Sequence, residues 1–284
     1  MGIKNAISKL MRTEDRVDGA SEGGLDLNDL GFDGLNQNEW VTLQVEATGT
    51  PDPEPMPELP DGLGIPTDDD RPTGWISTES GELSELWYRV AQVYPQTGVW
   101  PLAVRGDLEA WLGTELVGWY HTNELGAEEF LRRTFDTAAQ LGETEAWRTS
   151  WLGLARAERT TDASRVRVQP LDGEYRLLLV RTGVPADALG VIGWNGAQGW
   201  EFHGSELSEV LYSWQQRFGA VLVGVSTDSI RLSVERPPQD EKTCDLLARE
   251  HYAFAPDILN DTNRDLTDYA RELPHHKEWE FWWN

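Results

Sequence analysis

Apolar positions recur along this chain in two rhythms. Leu83, Leu86, Trp87, Val90 and Tyr94 lie three or four residues apart, the spacing of one helix face, with Ser80 placed to cap the start and Pro95 to close the end. The same period predicts helices over residues 124–141, through Leu131, Phe135 and Ala138, and over 143–157, through Trp147, Trp151, Leu154 and Ala155. Residues 97–104 read as a turn and strand. Beyond about residue 174 the rhythm shortens. Residues 175–180 and 188–194 are brief apolar runs bounded by Gly and Pro, which predict strands. A helix capped by Ser205 carries the stripe Leu207, Val210, Leu211, Trp214 and Phe218, and residues 220–225 predict the next strand. Ile230, Leu232 and Val234 alternate with Arg231, Ser233 and Glu235, so one face should be buried and the other wet. Pro238 opens a helix to about Tyr252, another spans about 264–273, and the closing aromatic run predicts a strand with Trp279, Phe281 and Trp283 on one side. Short strands with helices between them predict an α+β fold: a mixed or antiparallel sheet flanked by helices.

The N-terminal quarter follows neither rhythm for long. Ile3, Ala6, Ile7, Leu10 and Met11 share a helical face while Lys4, Lys9 and Arg12 look elsewhere, so residues 1–16 read as a short basic amphipathic helix. It is a frayed helix or packs on its own body, or else it docks a partner or touches a membrane surface weakly through residues 1–12. Residues 17–70 hold 14 carboxylates and no base. Within them only residues 40–46 alternate like a strand, and Pro51, Pro53, Pro55, Pro57 and Pro60 impose an extended stretch that ends near Asp68, Asp69 and Asp70. The expected organisation is therefore the basic helix (1–16), an acidic Pro/Gly-rich linker with one strand (17–73), a helix-rich lobe (74–165) and a C-terminal α+β domain (166–284).

Charge narrows the partners. The formal net charge is -25, from 24 bases against 49 acids. Such a field repels nucleic acid and anionic membrane and favours a basic protein partner. The single cysteine, Cys244, rules out an internal disulfide and fits a cytoplasmic location. No apolar run reaches the roughly 18 residues of a membrane span, and the first residues lack the continuous apolar core of a secretory signal. Fourteen Trp against 7 Phe and 7 Tyr give an aromatic balance that serves a core, a recognition surface, or both.

Several motifs together resemble an uncharacterised bacterial family, domain of unknown function 4253, over residues 82–284. They are Thr97-Gly98-Val99-Trp100-Pro101-Leu102, Val191-Ile192-Gly193-Trp194-Asn195-Gly196-Ala197 and residues 211–220. Val234-Glu235-Arg236-Pro237-Pro238, Phe254-Ala255-Pro256-Asp257 and Trp279–Asn284 complete the set. The resemblance implies no reaction. The family often has Cys before the Pro-Asp pair, where this chain has Ala255, and often ends in Asp, where it has Asn284.

No known catalytic pattern is complete. Gly224-Val225-Ser226-Thr227-Asp228 lacks the second glycine of a nucleophile elbow, and Gly190, Gly193 and Gly196 are spaced for turns rather than for a dinucleotide. Asp261, Asn263, Asp265 and Glu272 stand at calcium-loop positions, but Leu266 occupies the place that needs Gly, so no metal is expected. His275 and His276 lack partners at metal-ligand spacing, and no cofactor is expected. Arg156, Arg159, Arg165, Arg167, Arg176 and Arg181 are a basic cluster in an acidic chain. Local ion pairs explain it, or Arg165, Arg167, Arg176 and Arg181 dock an anion or the acidic linker.

Three functions remain open. The leading expectation is a non-enzymatic protein-binding module of toxin-neutralising or adaptor type. The candidate pocket or interface is Trp100, Trp194, His203, Trp214, Asp257 and Trp282. The second is an enzyme with a Trp-lined pocket around Trp194, His203 and Asp257. The third is nucleic-acid mimicry by the acidic segment.

Overall fold

The computed structural model describes residues 56–65, 74–109, 126–141, 150–157, 168–260 and 265–284. Seven strands form one sheet: β1 (Gly62–Ile65), β2 (Gly74–Ser77), β3 (Val99–Val104), β4 (Arg176–Arg181), β5 (Ala220–Val225), β6 (Ser229–Val234) and β7 (Glu278–Trp282). The described helices are α1 (Ser84–Thr97), α2 (Ala127–Leu141), α3 (Ala188–Val191), α4 (Gly204–Phe218), α5 (Glu241–Phe254), α6 (Asp257–Asn260) and α7 (Leu266–Glu272). The sheet order is β1-β2-β4-β3-β5-β6-β7, and every neighbouring pair is antiparallel except β3–β5. This is an α+β fold on a mixed sheet.

The sheet crosses the expected boundaries at 73/74 and 165/166. β1 comes from the stretch read as acidic linker, where Ile65 and Pro57 are buried. β2 and β3 come from the stretch read as a helix-rich lobe, and β3 pairs along its whole length with β4. Periodicity is local and cannot show that strands separated by a long intervening stretch pair. The near-continuous apolar runs VWPLAV and RLLLVR carry the signal of strands buried on both faces. One hydrophobic cluster extends from Ile65 to Trp283. The strand expected at 40–46 and the N-terminal helix lie outside the described residues.

Local chemistry explains the other departures. Residues 188–194 form α3 and a turn, not a strand, because Pro185 starts a helical turn and a short buried apolar run suits either state. Residues 150–157 have no regular structure. Gly153, at φ 88°, sits in a conformation no helix contains. α1 begins without a side-chain cap from Ser80 and runs through Pro95 to end at Gly98, at φ 65°, whose N–H donates to the Tyr94 carbonyl. His203, rather than Ser205, precedes α4, where its N–H donates to Glu206 Oε2 at 2.9 Å. Asp240 and Asp265 cap α5 and α7, accepting from the N–H groups of Thr243 and Asp268.

The alternation read for β6 and β7 is present in three dimensions. Leu232 faces Trp279 and Ile230 faces Phe281, and Trp214 of α4 lies 5.2 Å from the Phe281 ring in a stacked arrangement. The opposite face of the same strands carries Arg231, paired with Glu278 at 2.9 Å and Glu280 at 2.8 Å.

Candidate functional site

β3 and β5 pair only at Ala103–Gly224 and Val104–Val225. Continuing that register would set Trp100 opposite Val221, yet there the strands separate. Pro101 stands in the intervening part of β3 and has no N–H to donate, so the ladder toward β5 cannot run its full length. The Trp100 indole takes over, its Nε1 donating to the Leu222 carbonyl at 2.8 Å.

The separation opens into a cleft of about 840 Å³ at the end of the sheet where β3 and β5 begin. Trp100 and Val221 line its base. α1 supplies Trp87, Tyr88 and Tyr94, α4 supplies Tyr212 and Gln215, and the segments Val168–Pro170 and Gly183–Pro185 close the ends. Trp87 and Tyr94 pack edge-on against Trp100 at 5.7 and 5.1 Å. Tyr88 and Tyr212 are 45% and 37% exposed and stand among the few large apolar side chains that the described residues leave in solvent. None of the described residues that line it is charged. Trp87 Nε1 and Gln215 Oε1, both buried, have no hydrogen-bond partner among the described residues. An unpaired buried donor or acceptor costs about 1–3 kcal/mol.

Carboxylates stand just outside. Glu85 and Glu209 are exposed one helical turn before Tyr88 and Tyr212. Burial, then the charge of Glu209, raises the Asp187 carboxyl above its ordinary value, and burial, then Asp187, raises the Tyr94 phenol. The Tyr94 hydroxyl stays protonated and donates to the Thr182 carbonyl at 3.1 Å.

Of the residues singled out in the sequence, the cleft takes Trp100. The others lie elsewhere. Trp194 is buried, donates from Nε1 to the Ser226 carbonyl at 2.7 Å and packs edge-on against Trp283. Asp257 is buried, its Oδ2 accepting from Trp200 Nε1 at 2.9 Å and from the Asn284 N–H at 2.8 Å. Trp194 and Asp257 are thus drawn together through the chain's final residues as packed and hydrogen-bonded groups. His203 is exposed at the start of α4, and Trp282 is half-buried on β7 opposite Ser229. Trp214 lies in the core. Trp87, Tyr88, Tyr212 and Gln215 were the residues to find, and helical periodicity showed Trp87 only as a core position.

Of the arginines expected to dock an anion or the linker, Arg176 and Arg181 are described and do not converge. Arg176 donates to the carbonyls of Thr78 at 3.3 Å and Gly106 at 2.7 Å. Arg181, half-buried, is five residues further along the same strand and so on its other face. Arg159, Arg165 and Arg167 lie outside the described residues. Among the described residues no cluster of His, Cys, Asp or Glu is suited to hold a metal ion, and no helix is long and apolar enough to cross a membrane.

A second polar centre lies in the core. Glu250 is fully buried and takes bonds from Trp214 Nε1 at 2.8 Å, Arg217 Nη2 at 2.6 Å, Arg217 Nη1 at 2.8 Å and the Ala155 N–H at 2.6 Å. Arg217 Nη1 also donates to the Ala155 carbonyl at 2.8 Å. The ion pair therefore holds both backbone groups of Ala155 and ties the irregular segment 150–157 to α4 and α5.

Beside it, His251 is buried among Trp214, Trp279 and Phe281 at ring distances of 4.8, 4.5 and 4.9 Å. Its Nδ1 meets the Tyr269 hydroxyl at 2.9 Å, and its Nε2 has no hydrogen-bond partner among the described residues. Burial, then the Arg217 charge, holds the ring well below its ordinary pKa, so it stays neutral in the fold. The unfolded chain binds a proton as pH drops through about 6.5 while the folded chain does not. Stability should then fall with pH by up to about 1.4 kcal/mol per unit, levelling only below the folded pKa. Urea midpoints should drop between pH 7.5 and 5.5, and less so for His251→Gln. A midpoint constant over that interval would mean the ring accepts a proton in place.

No curated protein and no solved structure matches the chain. A family model described as a domain of unknown function (DUF4253) matches residues 176–284, a narrower span than the motif resemblance. That span begins with β4 and runs through β7, so it carries α4, Val221 and the Gly183–Pro185 segment of the cleft. Residues 176–284 of this chain are a DUF4253 domain.

Proposed function

We propose that the protein is a non-catalytic binding module that seats apolar side chains of a basic protein segment in the cleft between α1 and α4. The observation that supports this reading is the cleft's make-up: aromatic and proline walls, with no charged residue among the described residues that line it. That composition suits recognition by burial with a few orienting hydrogen bonds. Acid–base or nucleophilic chemistry would call for a titratable pair within reach of a substrate. The -25 net charge, and the carboxylates beside both wall tyrosines, favour a cationic partner and speed its approach. A cytoplasmic adaptor or toxin-neutralising role belongs to the same proposal.

The test uses an amphipathic Leu/Lys peptide of about 14 residues and a Leu/Glu peptide of the same pattern, each titrated calorimetrically. The Leu/Lys peptide should bind, and the Leu/Glu peptide should not. Replacing Tyr88 and Tyr212 together with alanine should weaken binding at least tenfold, about 1.4 kcal/mol, with a smaller change in melting temperature than loss of a core aromatic, since both are exposed side chains. Equal affinity for both peptides, or an unaffected double variant, would overturn the proposal.

A further inference from the structure

Resting on that reading of the cleft, we infer that the chain's own N-terminal segment, residues 3–12, is a resident ligand for it, held in place until a partner displaces it. The segment has the pattern of a helix that lies in a groove: Ile3, Ala6, Ile7, Leu10 and Met11 at helical spacing, with Lys4, Lys9 and Arg12 off that face. It is also the one stretch before residue 71 with several bases and no acid. Its charge is opposite to the Glu85, Asp187 and Glu209 carboxylates that stand beside the cleft. Arg89, next to Tyr88, offsets part of that field.

The tether permits the contact. Residues 13–55 separate the segment from Met56, where the described chain begins. A chain of that length spans roughly 35 Å as a random coil and far more when its carboxylates repel, against about 30 Å across a seven-stranded sheet. A tethered ligand of this reach works at an effective concentration near the millimolar range, so even a weak site would be largely occupied. The acidic residues of the tether cannot take the same place, because like charge disfavours them beside Glu85 and Glu209.

The experiment keeps the full chain and breaks the apolar face of the segment with Ile7→Glu and Leu10→Glu. The Leu/Lys peptide is titrated into both proteins. Release of the cleft should tighten peptide binding by about tenfold in the variant. Equal, measurable affinity in the two proteins would overturn the inference and leave the binding function standing. Absence of binding in both would remove the two together. A photo-crosslinker at position 212 of the otherwise unaltered chain gives an independent readout. It should join residues 1–16 of the same molecule, at a yield that does not depend on protein concentration. Crosslinks formed solely between molecules, or none to residues 1–16, would overturn it.

Discussion

Replacing Glu250 with alanine should lower the unfolding free energy by about 3–5 kcal/mol, measured by urea denaturation near neutral pH. The cost comes less from the attraction that is lost than from what is left behind. Arg217 would keep its charge with only 13% of its side chain in solvent, and the Trp214 indole and the Ala155 N–H would lose their acceptor. Each such group is worth about 1–3 kcal/mol when stranded. Removing both charges, with Glu250→Leu and Arg217→Met, should therefore be milder than removing one. If the single alanine variant unfolds within about 1 kcal/mol of the parent, the network is not a structural tie, and segment 150–157 is held by its apolar contacts alone.

Ending the chain after Lys277 should abolish cooperative unfolding. The deletion removes β7 and with it Trp279, Phe281 and Trp283, all buried. Truncating one buried aromatic costs on the order of 3–5 kcal/mol, and three together rival the 5–15 kcal/mol that holds a whole domain. The loss spreads beyond the edge strand. Phe281 stacks on Trp214, Trp283 Nε1 donates to the Phe254 carbonyl at 3.1 Å, and the Asn284 N–H reaches Asp257. A truncated chain that keeps a sharp thermal transition at the parent temperature would make the terminus a recognition element instead of a core strand.

Local periodicity carried much of the secondary structure. The stripe Trp87–Val90–Tyr94, the stripe through Trp214, and the β6 alternation each contain their own evidence, because the residues that share a face are close in sequence. Two kinds of information were not local. Pairing of β3 with β4 depends on contacts across a long stretch of chain, so the sequence suggested separate lobes where there is one sheet. The cleft depends on α1 and α4 bringing Tyr88 and Tyr212 to the same opening, which no spacing rule encodes. Abundance of tryptophan could not separate core from site, and indole hydrogen bonding does not separate them either. The indoles of Trp100, Trp194, Trp200, Trp214 and Trp283 all find acceptors inside the fold, whereas those of Trp87, beside the cleft, and of Trp151 and Trp279, which pack with the core, have none among the described residues.

The cleft has one wall inside residues 176–284 and one outside them. Tyr212 and Gln215 belong to the DUF4253 domain, while Trp87, Tyr88 and Trp100 come from the chain that precedes it. The two walls can accordingly be altered separately: changes on α1 reshape the opening without touching any residue of the domain. On the proposed binding role, selectivity would be divided between a scaffold and an adjoining segment, and either part could be re-engineered while the other is held constant.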